Sequence, residues 1–310
     1  MRHDPIPIDA FRSMSVAVPP LAWAAEAVAE RAANAALIRH LEAGGQRILM
    51  YAGNANFYQL CGALHEEVVT QIAELAGPGS WVIPSAGPTF ADLARAGAAL
   101  RRLGFPAAML LPAEIAVGSG TARAVQRFAD SFAGPVILYI RRAGSIAPDD
   151  VARLVAGGVL WLVKYGHVAA DPANDPYLDD LVHAIGAERI LSGSGEIIAC
   201  AHLGRHPLLG FTSGSAALAP SLSIAVRRAL RQGGAAAEAA PFAAFEALRS
   251  STHPIIALHE AVELAGLCRT GPILPPLGAL AAEDRHKVAQ AAQSLLAQER
   301  AARQAPHHRP

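Results

Sequence analysis

Two short apolar runs decide the fold that this sequence predicts: PVILYI at 135–140 and LWLVKYG at 160–166. Each has Pro or Gly close by, which is typical of a strand buried on both faces in a parallel sheet. The first run carries Tyr139 near its C-terminal end, and the second carries Lys164. The 25 positions between these residues correspond to about one strand-to-strand step through a helix. We therefore expect adjacent parallel strands, with Tyr139 and Lys164 pointing toward the same end of the sheet.

Lys164 is the unusual residue in these runs, because a lysine is seldom buried without a partner. Burial would lower the pKa of its amine by desolvation, and a neutral amine can form a Schiff base with a carbonyl substrate. The alternative is a lysine at a strand end that extends its ammonium group to water. The strand by itself leaves both interpretations open.

The composition bounds the class of protein. Of the 310 residues, 52% are hydrophobic and 17% are charged, so the chain can bury a large core in one domain with an extension. Lys and Arg balance Asp and Glu at 26 each, which predicts no nucleic-acid or acidic-lipid partner. Cys61, Cys200 and Cys268 lack metal-type spacing and indicate buried thiols in a reducing cytosol. With no apolar run of membrane-spanning length and no signal-peptide core in residues 1–9, we expect a cytoplasmic protein without a membrane partner.

Strand and helix patterns alternate over roughly 230 residues, which favours a (β/α)8 TIM barrel over an open doubly wound sheet. The turn at 193–195 lacks the third glycine of a dinucleotide fingerprint, so a Rossmann fold is not indicated. Eight strands are predicted, at 15–21, 47–52, 81–85, 107–111, 135–140, 160–164, 189–192 and 208–212. The predicted helices between and after them are 24–43, 64–75, 89–103, 121–132, 149–155, 177–185, 197–203 and 220–232.

Four parts of the chain follow from this pattern. Residues 1–14 form an N-terminal arm, and residues 15–234 form the barrel. Beyond residue 234 the pattern becomes purely helical, at 235–250, 253–266 and 281–301, which predicts a C-terminal helical extension over 235–303. The polar residues 304–310 are expected to be a disordered tail.

In a barrel of this type, chemistry occurs at the C-terminal ends of the strands. Lys164 and Tyr139 are the candidate catalytic residues: the lysine would form an imine, and the phenol would transfer protons. The turns rich in Gly, Ser and Asn offer backbone amides that could hold the carboxylate of a 2-oxo acid. The candidate substrate-binding residues are Gly53, Asn54, Ala55, Asn56, Arg141, His167, Ser192, Gly193, Thr212 and Ser213.

In this order and spacing, these residues resemble the dihydrodipicolinate synthase and N-acetylneuraminate lyase family of class I aldolases and dehydratases. Tyr139 in VILY matches the proton-relay tyrosine of that family, and Lys164 in LVK matches its Schiff-base lysine. The stretches LSGSGE (191–196) and GFTSG (210–214) are similar to its Ser-Gly-Asp-Asp/Glu turn and its Gly-x-x-Ser stretch. The resemblance covers about residues 15–300. It implies a barrel with a helical extension, a homo-oligomer (dimer or tetramer), and no metal or organic cofactor besides the covalent imine.

The chain also departs from the family pattern in three turns. It reads GNANF (53–57) where the family has Gly-Thr-Thr-Gly-Glu or Gly-Ser-Thr-Gly-Glu, so the hydroxyls of that turn are missing. It reads PAE (112–114) where dihydrodipicolinate synthases have Pro-Tyr-Tyr, with a tyrosine that acts across the subunit interface. It reads IRRAG (140–144) where the family usually has Asn-x-Pro-x-Arg after the tyrosine. The resemblance therefore implies intact imine chemistry without the residues that bind the second substrate.

Together these patterns predict a Schiff-base-forming lyase, an aldolase or dehydratase, that acts on a pyruvate-like 2-oxo acid or a 2-keto-3-deoxy sugar acid. A barrel that binds a 2-oxo acid without turnover, as a sensor or regulatory subunit, is one alternative, and dihydrodipicolinate synthase proper is another. Asn54 and Asn56 suit substrate hydroxyls, and Arg141 suits a second carboxylate. Arg141 and His167 would equally suit the solvated rim of the barrel.

Overall fold

The computed structural model of the protein describes residues 1–25 and 27–304. The chain opens with helix α1 (Ile8–Ser13), strand β1 (Val16–Ala17) and the antiparallel strands β2 (Trp23–Ala25) and β3 (Val28–Ala29). Helices and strands then alternate: α2 (Arg31–Ala43), β4 (Ile48–Tyr51), α3 (Gly62–Leu75), β5 (Trp81–Ala86), α4 (Leu93–Arg102), β6 (Ala108–Leu110), α5 (Ser119–Phe132), β7 (Val136–Ile140), α6 (Pro148–Ala156), β8 (Leu162–Tyr165), α7 (Pro176–Ile185), β9 (Ile190–Ser192), α8 (Gly195–Arg205), β10 (Gly210–Ser213) and α9 (Pro220–Arg231). The described chain ends with α10 (Ala236–Ala239), α11 (Ala243–Ser251), α12 (Pro254–Leu264) and α13 (Ala282–Gln304).

Strands β1 and β4 to β10 form a closed barrel in which all neighbouring strands are parallel. Each of these strands coincides within a few residues with a predicted one. The predicted (β/α)8 barrel with a C-terminal helical extension is therefore confirmed. Strand β8 pairs with β7 so that Tyr139 stands opposite Lys164, as the spacing of the two residues predicts.

Helix α1 closes the N-terminal end of the barrel. Its buried residue Phe11 stacks edge-on against Trp161, which precedes β8, with the ring centroids 5.6 Å apart. The carbonyl oxygen of Phe11 accepts a hydrogen bond from Nε of Arg227 on α9, at 3.3 Å. The opposite end of the barrel, where the strands reach their C-termini, is called the mouth below.

The prediction of one helix over residues 24–43 is wrong at its start, because β2 (Trp23–Ala25) and β3 (Val28–Ala29) lie there and α2 begins only at Arg31. Trp23 is buried and its amide donates to the carbonyl of Thr270 at 2.8 Å, a partner that lies far along the chain. The Glu30 carboxylate then accepts the amide hydrogen of Ala32 at 3.0 Å and caps the helix. An alanine-rich composition favours helix but does not show where the helix begins.

The extension also differs from its predicted helices. Residues 235–250 form two helices, α10 and α11, because Pro241 interrupts the regular hydrogen bonding between them. Helix α13 runs to Gln304, the first residue of the predicted tail, and residues 305–310 lie outside the described residues. No helix in the described ranges is long and apolar enough to cross a membrane.

Helix α11 joins the extension to the barrel through Glu246. Its carboxylate accepts the amide hydrogens of Glu196 and Ile197, at 3.0 and 3.1 Å, and so caps the N-terminus of α8. Glu196 itself is buried, and its carboxyl group accepts a hydrogen bond from the Ser213 hydroxyl at 2.8 Å. Burial, followed by the charge of Glu246, raises the pKa of Glu196 well above its usual range. These contacts fix α11 beside the mouth.

Candidate active site

Lys164 is one of two lysines in the chain, and it lies inside the barrel. Only 5% of its surface is exposed, and its Nζ lies 4.4 Å from the ring centroid of Tyr139. The next residue, Tyr165, points outward, because its hydroxyl donates to the Asp175 carboxylate at the start of α7, at 2.7 Å. Successive residues of a strand face opposite sides, so Lys164 points into the barrel.

The surroundings of Lys164 favour its neutral form. In the described part of the chain, the ion pairs that involve a lysine belong to Lys287, not to Lys164. Desolvation by burial, followed by the positive charge of Arg249, lowers the pKa of Lys164 to about 7. A large fraction of its amine is therefore unprotonated near neutral pH and can act as a nucleophile.

Tyr139 provides a phenol directly beside this amine. Its ring lies against the backbone of Gly166, where a Cβ atom would come within 2.7 Å of the phenol oxygen. Burial raises the pKa of Tyr139, while the charges of Arg141 and Arg249 act in the opposite direction. Glycine at position 166 is thus what allows the tyrosine ring to lie over the end of β8.

The turn after β4 brings three of the candidate binding residues to the mouth, in a 3-10 turn over Gly53–Ala55. The side-chain amide of Asn54 donates to the Val18 carbonyl at 2.8 Å, and its oxygen accepts a hydrogen bond from Nη2 of Arg249 at 3.4 Å. Asn54 therefore links the turn after β4 to the end of β1 and to α11. The sequence predicts instead that its side chain contacts substrate hydroxyls. Asn56 is buried in the left-handed conformation (φ 61°), and neither polar atom of its side chain has a hydrogen-bond partner in the described structure.

Tyr58 and Arg141 form a second polar pair at the mouth. Burial raises the pKa of Tyr58, and the positive charge of the nearby Arg141 guanidinium acts in the opposite direction. The ring of Tyr58 also packs against Gly53, where a Cβ atom would come within 2.9 Å of a ring carbon. Arg141 is about half exposed and forms an ion pair with Glu114 across the mouth. Tyr58 was missed by sequence reasoning, although its place five residues after Gly53 in the β4 turn could have indicated it.

The side chains of Ser192 and Ser213 point away from the inside of the barrel, contrary to their predicted role. The Ser192 hydroxyl lies 3.0 Å from Nδ1 of His202 on α8, and that of Ser213 binds Glu196 on the same helix. Ser192 pairs in register with the outward-facing Tyr165, so both occupy the outer face of the sheet. This orientation prevents either hydroxyl from contacting a molecule bound to Lys164.

Three other candidates divide between the inside and the outside of the barrel. The amide of Gly193 already donates to the Tyr165 carbonyl at 2.6 Å. His167 packs edge-on against the outward-facing ring of Tyr165, with centroids 6.1 Å apart, and this contact holds it on the outer side. Thr212 precedes the outward-facing Ser213 in β10, so its side chain faces inward. Its hydroxyl is buried and has no hydrogen-bond partner in the described structure.

Arg249 is the other residue that sequence reasoning missed. It lies on α11, which follows the last barrel strand in the sequence. Its guanidinium nevertheless reaches Asn54 and lies 3.5 Å from the hydroxyl of Ser215, which follows β10. No local pattern marks it, because its position depends on how the extension packs. The mouth thus combines a neutral amine, a phenol and two arginines, which suits the covalent binding of an anionic carbonyl compound.

Comparisons with protein-family models and with curated sequences found no match to this chain. Solved structures do match it over nearly its whole length. Dihydrodipicolinate synthase from Oceanobacillus iheyensis is 19% identical, with a TM-score of 0.79 over 93% of this chain and 97% of that chain. The Bacillus clausii enzyme is 19% identical, with a TM-score of 0.80 over 93% and 98% of the two chains. The 4-hydroxy-tetrahydrodipicolinate synthase of Methylacidiphilum fumariolicum SolV is 18% identical, with the same TM-score and coverage. The chain therefore has the fold of the dihydrodipicolinate synthases, at a sequence distance that shows the fold alone.

The lowered pKa of Lys164 predicts a pH-dependent cost to stability. Its pKa of about 7 in the folded state lies below the ordinary lysine value of 10.5, so the unfolded state binds more protons between these values. The loss of stability caused by burying this ammonium group has its full value below pH 7 and disappears as the pH rises toward 10.5. Lys164→Met should therefore raise the free energy of unfolding by about 2–4 kcal/mol at pH 6, and this gain should shrink by pH 10. Urea denaturation across this pH range measures the difference.

Lys287→Met is the matched control, because Lys287 is exposed and paired with Glu283. Its effect on stability should be small and should not change over the same pH window. A destabilised Lys164→Met protein at pH 6 would contradict the desolvation of Lys164.

Proposed function

We propose that the protein is a Schiff-base-forming lyase, an aldolase or dehydratase, that acts on a 2-oxo acid through Lys164. One observation carries the proposal: a buried lysine with no paired carboxylate in the described structure, with a pKa of about 7, lies against a phenol at the mouth of a (β/α)8 barrel. The shared fold with dihydrodipicolinate synthases supports this class of reaction.

In the first step, the neutral amine of Lys164 bonds to C2 of the 2-oxo acid. One proton is taken up, the carbonyl oxygen leaves as water, and a protonated imine remains. In an aldol cleavage, the C4 hydroxyl loses its proton and the C3–C4 bond breaks, so that C4 leaves as an aldehyde and the electron pair of the bond forms an enamine. C3 of the enamine then takes up a proton, which restores the protonated imine. In a dehydration, C3 loses a proton first, and the C4 hydroxyl then leaves as water. Water finally releases the product from the lysine.

Both routes require a group that accepts and returns a proton next to C2 and C3. Tyr139 is the proposed group, because its ring lies 4.4 Å from the lysine nitrogen. Burial raises the pKa of Tyr139, so the phenol holds its proton until it is transferred, and the charges of Arg141 and Arg249 act in the opposite direction.

The polar residues around the mouth favour a substrate that extends beyond the keto-acid end. Asn56 and Thr212 have buried polar groups without partners, and Tyr58 with Arg141 forms a polar pair at the rim. Such groups suit hydroxyls or a second carboxylate. We therefore propose a 2-keto-3-deoxy sugar acid or a dicarboxylic 2-oxo acid rather than the substrates of dihydrodipicolinate synthase proper.

Incubation with pyruvate followed by borohydride tests the imine directly. Borohydride reduces the imine to a stable secondary amine, so we expect one reduced pyruvyl group per chain, at Lys164. With only two lysines in the chain, mass spectrometry separates the outcomes cleanly. Lys287→Arg should keep the adduct and Lys164→Arg should lose it. An adduct on Lys287, or none with any 2-oxo acid, would refute the proposed chemistry. An adduct without products from a panel of 2-oxo and sugar acids would indicate a binding protein.

Tyr139→Phe tests the proton transfer. The ring remains against Gly166, so the fold and the borohydride adduct should persist. Turnover of the true substrate should fall by about 10²–10⁴-fold, the usual contribution of a positioned acid or base. Steady-state kinetics measure the effect, with Tyr177→Phe as a control because that phenol donates to the Ile146 carbonyl outside the barrel. Unchanged turnover in folded Tyr139→Phe would remove this tyrosine from the mechanism.

We also propose that the chain assembles as a homo-oligomer, a dimer or tetramer. Phe90, Ile115 and Val117 are exposed large apolar residues that line one cavity of about 240 Å³ beside the loop after β6. Sedimentation velocity should therefore show a species larger than the 32.2 kDa chain at micromolar concentration. Replacing Ile115 and Val117 with serine should shift it toward the monomer. A purely monomeric protein would refute this proposal; one solved structure of the same fold is described as a monomeric dihydrodipicolinate synthase variant.

A further inference from the structure

Arg249 reaches the mouth of the barrel from the C-terminal extension. Glu246, three residues earlier on α11, caps α8 and so fixes the helix that carries the arginine. The guanidinium lies over Gly214 at the end of β10, where a Cβ atom would come within 2.9 Å of both Nη atoms. Any side chain at position 214 would displace it, so this glycine makes room for the guanidinium at the mouth.

The partners of Arg249 are neutral and mostly distant. Its Nε donates to the Pro254 carbonyl at 3.2 Å, and its Nη atoms lie 3.4 Å from the Asn54 oxygen and 3.5 Å from the Ser215 hydroxyl. None of the ion pairs in the described structure involves Arg249, and the Glu246 carboxylate is bonded to the amides of α8. Burial lowers the pKa of Arg249, and the charges of Glu246 and Glu196 act in the opposite direction without forming an ion pair with it.

The charge of Arg249 acts on both candidate catalytic residues. It lowers the pKa of Lys164 and opposes the raised pKa of Tyr139. The contacts with Asn54 and Ser215 and the position over Gly214 place the guanidinium at the same mouth. A guanidinium matches a carboxylate in shape, since two parallel N–H groups can donate to its two oxygens. A planar cation whose hydrogen-bond partners are neutral, at the same mouth as an imine-forming lysine, is arranged to receive an anion.

We propose that Arg249 binds the carboxylate of the 2-oxo acid whose C2 reacts with Lys164, and so determines that the substrate is an anion. The inference rests on the proposed function and extends it to the substrate's C1 group. Before binding, the charge of Arg249 favours the neutral amine that attacks the carbonyl. The bound carboxylate neutralises that charge, and the protonated imine then forms beside a guanidinium–carboxylate pair instead of an unpaired cation.

The experiment compares an anionic substrate with a neutral copy of it. Borohydride trapping at Lys164 is measured by mass spectrometry over a concentration series of pyruvate and of methyl pyruvate, which lacks the charge at C1. In the unaltered protein, half-maximal trapping should need at least about 10-fold less pyruvate than methyl pyruvate. Arg249→Gln should raise the pyruvate requirement by about 10–100-fold, the contribution of a charged hydrogen bond, and bring the ratio near one. Arg249→Lys should give an intermediate ratio, because it restores the charge without the two parallel donors.

The ratio separates carboxylate binding from a change in the pKa of Lys164, since a changed amine would affect both ketones equally. Arg142→Gln is the matched control and should leave the ratio unchanged, because Arg142 donates to the Ala116 carbonyl on the β6 loop. If the ratio of methyl pyruvate to pyruvate needed for half-maximal trapping is unchanged in Arg249→Gln, the proposal is overturned. It is also overturned if this ratio falls to near one in Arg141→Gln and not in Arg249→Gln. Equal trapping of both ketones by the unaltered protein overturns it even where a variant fails to fold. If neither ketone is trapped at all, it is the Schiff-base function that fails.

Discussion

The desolvation of one amine, that of Lys164, is the constraint on which the candidate site depends. A charged ammonium group is unfavourable inside a closed barrel, and no carboxylate of the described residues pairs with it. The amine therefore titrates near neutral pH, in the range where a nucleophile is useful. The parallel register of β7 and β8 adds the second requirement, because it places the Tyr139 ring against this amine. A shift of one residue in either strand would turn one of the two side chains to the outer face.

The extension contributes to the site as well as to the fold. On α11, Glu246 and Arg249 lie about one turn apart, and the first binds the barrel while the second reaches its mouth. Asn54 connects the same arginine to β1 through the Val18 carbonyl. Elements that are distant in sequence, the turn after β4, the end of β10 and the extension, thus determine where one guanidinium lies. This coupling means that packing of the extension and geometry of the site cannot vary independently.

The sequence was sufficient for the barrel and for the pairing of Tyr139 with Lys164, because both follow from local runs of apolar residues and their spacing. It was insufficient for the paired strands β2 and β3, where the amide of Trp23 donates to the carbonyl of Thr270, far along the chain. Ser192 and Ser213 are predicted to bind substrate, but the register of β8 with β9 places Ser192 on the outer face beside Tyr165, and Ser213 binds Glu196 on α8. Arg249 had no comparable signal, since only the tertiary packing of α11 brings it to the mouth. The predicted turn residues were therefore close to the mouth, but their side-chain directions were not predictable from position alone.

The origin of Arg249 in the extension has a consequence for the order in which the protein becomes complete. Translation produces the whole strand sequence, through Ser213, before it produces α11. At about 5–20 residues per second, the two events are separated by seconds, and a barrel of β1 and β4 to β10 has time to begin folding in between. During that interval the nascent chain carries Lys164 and Tyr139 but not Arg249. The last helices of the chain would then complete the mouth after the strands that carry Lys164 and Tyr139 have been made.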